Sequence, residues 1–111
     1  FYLALIKMKE SPEISYNIFD RLIRAYPKYV NIALNRMAAK ISLAEKSKNV
    51  DYYYEALEEW EEYKNTRKDI DEKNLGTAFL ANKMLILYET QQYELLSEMF
   101  LDLDLLSQST G

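Results

Sequence analysis

The sequence predicts an all-α protein built from antiparallel helix hairpins, and three observations lead to that prediction. The 111 residues include only two Gly and two Pro, so few positions break a helix or form a turn with positive φ. Apolar residues recur at spacings of three and four along most of the chain, which is the period of an α-helix. Bulky aromatic residues recur at intervals of 41 and 40 residues, at Phe19, Trp60 and Phe100, which indicates a repeated structural unit.

The composition bounds the size and number of domains. A hydrophobic content of 49% is enough for a packed core, and 111 residues leave room for one domain. We therefore predict a single domain over residues 1–106, with hairpins at about 1–26, 28–68 and 72–106 and a frayed tail at 107–111. The chain starts within a helical pattern and without an initiator Met, so we expect it to be a fragment of a longer protein.

The first hairpin joins two predicted helices. Residues 1–10 match the end of a helix, and a second helix is expected to start immediately after them. Ser11 is positioned to cap the free N–H groups of this second helix, and Pro12 suits its first turn. The helix is expected to end before Pro27, which cannot continue it. Its predicted inward residues are Ile14, Ile18, Phe19, Leu22 and Ile23.

The middle hairpin is predicted to be the longest. A third helix covers about residues 28–46, and a fourth runs from a cap at Asp51 to about Arg67. Two apolar stripes at helical spacing predict the buried faces. They are Val30, Ala33, Leu34, Met37, Ala38, Ile41 and Ala44 on the third helix, and Tyr53, Ala56, Leu57, Trp60 and Tyr63 on the fourth.

The last hairpin is predicted from residues 72–89 and from Tyr93 to about Leu106. Gly76 falls inside the first of these two helical patterns, where it costs stability relative to Ala. Close packing against a neighbouring helix is the reason we predict for this glycine. Together with the earlier segments this gives about six helices joined by short breaks, which favours antiparallel neighbours.

The residues around the recurring aromatics resemble the second helix of a tetratricopeptide repeat. Tyr53, Ala56 and Trp60 match the Tyr, small residue and bulky aromatic of that helix, and Phe19 is followed eight residues later by a closing Pro27. The resemblance implies a right-handed superhelical array, an α-solenoid, in which Phe19, Trp60 and Phe100 pack between hairpins. The period exceeds the usual 34 residues because the middle hairpin is enlarged, and other helical-hairpin arrays of about 40 residues remain alternatives.

The resemblance also implies where a ligand would bind. The first helix of each hairpin lines the concave face of such arrays, where extended peptides or partner helices bind. Asparagine side chains there offer a donor and an acceptor to a peptide backbone, and cations attract a carboxylate or phosphate. The matched outward positions of the third and fifth predicted helices are Asn35 with Asn82, Arg36 with Lys83, Ala39 with Ile86, and Ser42 with Glu89.

The charges are unevenly distributed along the chain. Residues 1–48 hold nine Lys and Arg and four Asp and Glu, whereas residues 49–111 hold five and fourteen, so net charges of +5 and −9 sum to −4. The negative total disfavours nucleic acid as a partner. The polarity fits either the steering of a charged partner or end-to-end self-association.

The residue types that are absent narrow the chemistry. The chain has no His and no Cys, which removes histidine bases, thiol nucleophiles and most zinc sites, and no Gly-rich phosphate loop is present. We therefore expect neither an enzyme nor a cofactor or metal. No signal or transmembrane segment is found, which favours the cytoplasm.

The function predicted from these features is a protein–protein interaction scaffold that binds a peptide or a partner protein. Two alternatives stay open. One is a peptide-sensing domain of a larger bacterial-type regulator, and the other is a structural subunit that assembles with copies of itself.

Overall fold

The computed structural model describes the backbone of residues 10–110 and the side chains of residues 10–102. Within these residues the chain is all-helical and has no β-strand, which confirms that the fold is all-α, while the superhelical array stays a prediction. The elements are α1 (Pro12–Ala25), α2 (Val30–Ser47), α3 (Asp51–Thr66), a 3₁₀ turn (Glu72–Asn74), α4 (Thr77–Glu89) and α5 (Tyr93–Thr110). The helix predicted over residues 1–10 falls almost entirely outside the described part, so the count of six helices is not tested.

The helices pack in chain order. α1 packs on α2, and α2 packs on α3, as expected for antiparallel neighbours joined by short turns. α4 contacts both α2 and α3. Among the described elements α5 packs only on α4, so the end of the domain is the least enclosed part.

The main core lies between α2, α3 and α4. Met37, Trp60 and Phe79 meet there, and the ring centroids of Trp60 and Phe79 are 4.9 Å apart. A smaller core between α1 and α2 forms around Phe19 and Ala39. Small residues let the helices approach closely, since Ser15 and Ala56 are fully buried as their positions in the repeated frame predict.

Local signals set the ends of the first three helices. Pro12 stands in the first turn of α1, as predicted, but the side chain of Ser11 makes no capping hydrogen bond. The cap predicted at Asp51 is wrong, because Asp51 is already helical and its N–H donates to Asn49 Oδ1 over 3.0 Å. Lys48 ends α2 in the left-handed conformation, with φ 55°.

The predicted start of the fourth described helix is also wrong. Residues Glu72–Asn74 form a separate 3₁₀ turn, and α4 begins only at Thr77. Gly76 precedes it with φ 101°, a conformation that residues with a side chain rarely adopt. A Cβ on Gly76 would meet no heavy atom within 4 Å, so backbone conformation and not close packing requires this glycine.

The recurring aromatics do not share one environment. Phe19 is 0% exposed and Trp60 is 1% exposed, which confirms that these two are core residues. Phe100 is 54% exposed, so the prediction that it packs between hairpins is wrong. Phe100 lines a groove between α4 and α5, and no second described helix packs on α5 to cover it.

Candidate functional site

A cavity of about 320 Å³ lies between α2 and α4 and brings the two predicted asparagines together. Asn35 projects from one wall and Asn82 from the other, which agrees with their matched positions in the repeat. The rest of the lining is mainly apolar. The complete lining is Asn31, Leu34, Asn35, Met37, Ala38, Leu75, Ala78, Phe79 and Asn82.

The two amides differ in how firmly they are held. Asn35 Nδ2 donates to the backbone oxygen of Asn31 over 2.9 Å, which leaves its Oδ1 as an acceptor. Asn82 is partly exposed, and no hydrogen bond within the described residues holds its side chain. One fixed acceptor and one free amide therefore stand on opposite walls of a mainly apolar cavity.

Two of the predicted binding residues do not face outward. Ala39 and Ile86 are both 0% exposed, so their assignment to the outer surface is wrong. Ala39 packs with Phe19 between α1 and α2, and Ile86 belongs to the main core. Each lies one turn beyond its matched asparagine on nearly the same helix face, but neighbouring elements cover that part of the face.

The last predicted pair is separated from the asparagines. Ser42 is partly buried and Glu89 is exposed. Glu89 lines a different cavity of about 270 Å³, together with Glu45, Lys48 and residues at the start of α3. The structure therefore does not join Ser42 and Glu89 to the cavity that holds Asn35 and Asn82.

Arg36 is engaged inside the protein. Its Nη1 donates to Asp20 Oδ1 over 3.0 Å, and its Nε lies 3.9 Å from Glu59 Oε2. Only 12% of the side chain is exposed. The prediction of a free cation at this position is wrong, because carboxylates of α1 and α3 already neutralise it.

Sequence reasoning missed a polar cluster that surrounds Arg36 between α1, α2 and α3. Tyr16 donates its hydroxyl to the Glu59 carboxylate over 2.7 Å, and Lys40 Nζ lies 3.4 Å from the same carboxylate. The Lys40 ammonium also sits 4.1 Å from the centroid of the Tyr16 ring, within cation–π range. Burial and the Glu59 carboxylate raise the pKa of the Tyr16 hydroxyl, because both disfavour a phenolate.

One sequence signal pointed to this cluster. Lys40 follows Met37 by three residues and precedes Ala44 by four, so it falls at the spacing of the buried stripe. Its charge excludes it from a list of apolar residues, although a buried lysine is tolerated when carboxylates and aromatic rings surround it.

Lys83 is held by a second internal cluster, around Glu72. The Glu72 carboxylate accepts from Lys83 Nζ over 2.7 Å, from Trp60 Nε1 over 2.8 Å and from Lys64 Nζ over 3.1 Å. Burial alone raises the pKa of Glu72, but these three donors outweigh burial and hold it below its ordinary value. Glu72 thus connects the end of α3 to α4, and the predicted free cation at Lys83 is also wrong.

Another cavity, of about 650 Å³, lies beside this cluster and reaches α5 at Met99 and Asp102. Several cations border it, but the inner ones are engaged. Lys64 and Lys83 are paired with Glu72, and Arg67 forms a two-pronged pair with Asp69. The cavity is therefore lined by both signs of charge, since Lys68 and Lys73 border it as well as Asp71 and Asp102.

The described residues contain no group of three or more His, Cys, Asp or Glu placed to hold a metal ion. None of the helices in that part of the chain combines the length and apolarity needed to cross a membrane. Compared with known proteins, the chain matches no family model, no curated protein and no solved structure.

Proposed function

We propose that this protein is an interaction module that binds an extended peptide segment in the cavity between α2 and α4. The observation that carries the proposal is the placement of Asn35 and Asn82 on opposite walls of one mainly apolar cavity. An amide side chain pairs with both the N–H and the C=O of a peptide backbone, while the apolar lining accepts a side chain of the same peptide.

The proposed binding face belongs to a proposed array of helix hairpins. The packing of α1 on α2 and of α2 on α3, followed by α4 and α5, is compatible with successive hairpins in a tetratricopeptide-like superhelix. In such an array α2 and α4 are first helices of neighbouring hairpins, and the cavity between them lies on the concave side.

Binding without catalysis is part of the proposal. Lys40 is buried and Tyr16 and Glu72 are partly buried, and all three are engaged by internal partners. Arg36 and Lys83 are likewise committed to carboxylates of the chain. A peptide recognised through neutral amides and apolar contacts fits this surface better than a phosphate-rich nucleic acid does.

The test starts with a phage-displayed library of random peptides selected on the wild-type protein. Selected peptides are then titrated by calorimetry against wild type and an Asn35→Ala/Asn82→Ala variant. Loss of two hydrogen bonds at about 1 kcal/mol each predicts a weakening of roughly thirtyfold. The control is Asn17→Ala/Asn65→Ala, which removes two exposed amides outside this cavity and should leave the affinity unchanged.

Equal affinity for wild type and Asn35→Ala/Asn82→Ala contradicts the proposed site. Weakening by the control variant alone moves binding to the cavity beside Arg67, because Asn65 lines that cavity. Circular dichroism of each variant verifies that the helix content is retained.

A further inference from the structure

A separate groove of about 510 Å³ runs between α4 and α5. Its walls carry almost no polar groups, since the hydroxyls of Thr77 and Tyr88 are the only polar side-chain atoms of the lining. The residues that line it are Thr77, Leu80, Ala81, Met84, Leu85, Tyr88, Leu96 and Phe100.

The groove is open to solvent. Tyr88 is 58% exposed and Phe100 is 54% exposed, and Leu101 next to it is also exposed. Covering this apolar surface with a partner releases free energy in proportion to the area buried.

The shape and chemistry of the groove favour a helix over an extended peptide. The lining residues of α4 run from Thr77 to Tyr88, which is about three helical turns. An extended peptide needs partners for its backbone N–H and C=O groups, and these walls offer almost none. A helix satisfies its own backbone hydrogen bonds and presents only side chains to the groove.

The charge of the surrounding helices specifies the partner further. From Met84 to Asp102 the chain carries four carboxylates, Glu89, Glu94, Glu98 and Asp102, and no Lys or Arg. The nearest cation in the sequence, Lys83, is neutralised by Glu72 at 2.7 Å. Residues 84–102 therefore have a net charge of −4 and a negative field, and the cavity bordered by Lys68 and Lys73 shares only Leu80 with the groove lining.

The carboxylates of α5 act on a partner as a long-range electrostatic field and not through direct contacts in the groove. Helical periodicity places Glu94 and Glu98 on the side of α5 opposite Leu96 and Phe100, so they do not border the groove directly. Their attraction for a cation crosses roughly the width of a helix, comparable to the Debye length of about 8–10 Å at physiological salt. Its main effect is to speed association at low ionic strength.

We propose that the groove between α4 and α5 binds an amphipathic helix of a partner protein, with apolar residues on the bound face and Lys or Arg on the outer faces. This surface is distinct from the cavity between α2 and α4, because the two share no lining residue. The helix would insert apolar side chains at three- and four-residue spacing beside Ala81, Met84 and Phe100.

The probe for the test is a fluorescently labelled synthetic 18-residue helix with Leu at helical spacing and Lys elsewhere. Its matched counterpart carries Glu in place of Lys. Titration with the wild-type protein, followed by anisotropy, should give at least tenfold tighter binding for the Leu/Lys peptide. Stopped-flow mixing should show an association rate that falls as NaCl is raised, with a much smaller change in the dissociation rate.

Two neighbouring substitutions separate groove binding from general attraction between opposite charges. Phe100→Glu places a carboxylate in the groove, whereas Leu101→Glu adds the same charge on an exposed position that does not line it. Added negative charge alone strengthens binding of a cationic peptide. We expect Phe100→Glu to weaken binding at least tenfold despite its charge and Leu101→Glu to leave it equal or slightly tighter.

A second groove variant, on α4, tests whether the effect of Phe100→Glu comes only from a local structural change in α5. Ala81→Glu alters the α4 wall at an exposed helical position, where Glu is a good helix former, and should weaken binding as Phe100→Glu does. Asn35→Ala/Asn82→Ala should not affect the Leu/Lys peptide, so this proposal and the proposed peptide cavity succeed or fail separately.

Two results would overturn the proposal. One is equal loss, or no loss, of Leu/Lys peptide binding in Phe100→Glu and Leu101→Glu. The other comes from sedimentation of the protein alone. A wild-type dimer that Phe100→Glu converts to a monomer would identify a second copy of this chain as the occupant of the groove.

Discussion

The N-terminal three-helix unit (α1–α3) and the C-terminal hairpin (α4–α5) are built from the same kind of sequence but packed to different degrees. Each helix of the three-helix unit buries at least four residues, and an internal polar cluster ties its members together. None of the described side chains of α5 is buried. A helix reaches full burial only when neighbours cover both sides of its apolar stripe, and α5 has one neighbour among the described elements.

The difference in side-chain burial indicates that the two regions contribute differently to stability and to exposed apolar surface. The three-helix unit contributes most of the stability, because truncating its buried aromatic side chains or breaking its buried ion pairs costs several kcal/mol of unfolding free energy. The C-terminal hairpin keeps apolar surface available, and such surface is what a partner helix would cover. Glu72 is the joint between the two regions, in the sense that it connects them by hydrogen bonds. Its carboxylate accepts hydrogen bonds from Trp60 and Lys64 of α3 and from Lys83 of α4.

The largest expected effect comes from truncating the same aromatic in the two regions. Phe19→Ala removes a fully buried ring and should lower the free energy of unfolding by about 3–5 kcal/mol. Phe100→Ala removes a ring that is already half exposed and should cost less than about 1 kcal/mol. Urea unfolding followed by circular dichroism measures both, and similar losses would break the comparison between the regions.

A smaller effect is expected at the joint. Glu72→Gln weakens three hydrogen bonds to charged or buried donors and should cost about 2 kcal/mol near pH 7. The folded-state pKa of Glu72 lies below its ordinary value of 4.5, so its stabilising contribution is present above that value. The contribution is lost as the pH falls through the folded-state pKa.

The pH dependence provides the check on the joint. Urea midpoints of wild type and Glu72→Gln should differ clearly at pH 7, and the difference should shrink as the pH falls below 4.5 and through the folded-state pKa of Glu72. Glu98→Gln on the exposed surface of α5 is the matched control and should behave as wild type at pH 7. A gap between wild type and Glu72→Gln that stays constant down to pH 2 would contradict the ionic role of Glu72.

The smallest of these effects concerns the entry to the C-terminal hairpin. Gly76→Ala forces a side chain onto a backbone with φ 101° and ψ 170°, at a cost of about 1 kcal/mol or somewhat more. A D-alanine at this position, introduced by chemical synthesis, favours positive φ, so it should be tolerated, whereas the L-alanine is strained although its Cβ meets no heavy atom within 4 Å. Thermal unfolding of the two proteins distinguishes conformational strain from steric clash, and equal destabilisation would reject strain.

Helix limits and buried helix faces are predicted best, because they depend on residues that are close together in the sequence. Pro12 and Pro27 set the limits of α1 within a residue or two, because a proline acts on its own backbone and its nearest neighbours. The apolar stripe of α2 is confirmed at Ala33, Met37 and Ala44, since helical spacing alone defines a face.

What the sequence does not predict depends on distant partners. The repeated frame around Phe100 is as regular as that around Phe19, but no local pattern tells whether another helix covers it. The role of Lys40 depends on Tyr16 and Glu59, which are 43 residues apart in the chain and meet only after folding. The same limit applies to the candidate site. Matched positions in the sequence predict that Asn35 and Asn82 lie close together, but they do not predict the ion pairs of Arg36 with Asp20 and of Lys83 with Glu72.

Because Lys40 is buried, its rate of chemical modification reports how often the surrounding helices move apart. Its side chain is only 8% exposed, whereas that of Lys46 on the same helix is 54% exposed. An acylating reagent reaches the Lys46 amine directly, but it reaches Lys40 only while α1 or α3 has moved aside. The ratio of the two modified peptides in a mass spectrum therefore counts how often the three-helix unit opens, with no label or added residue.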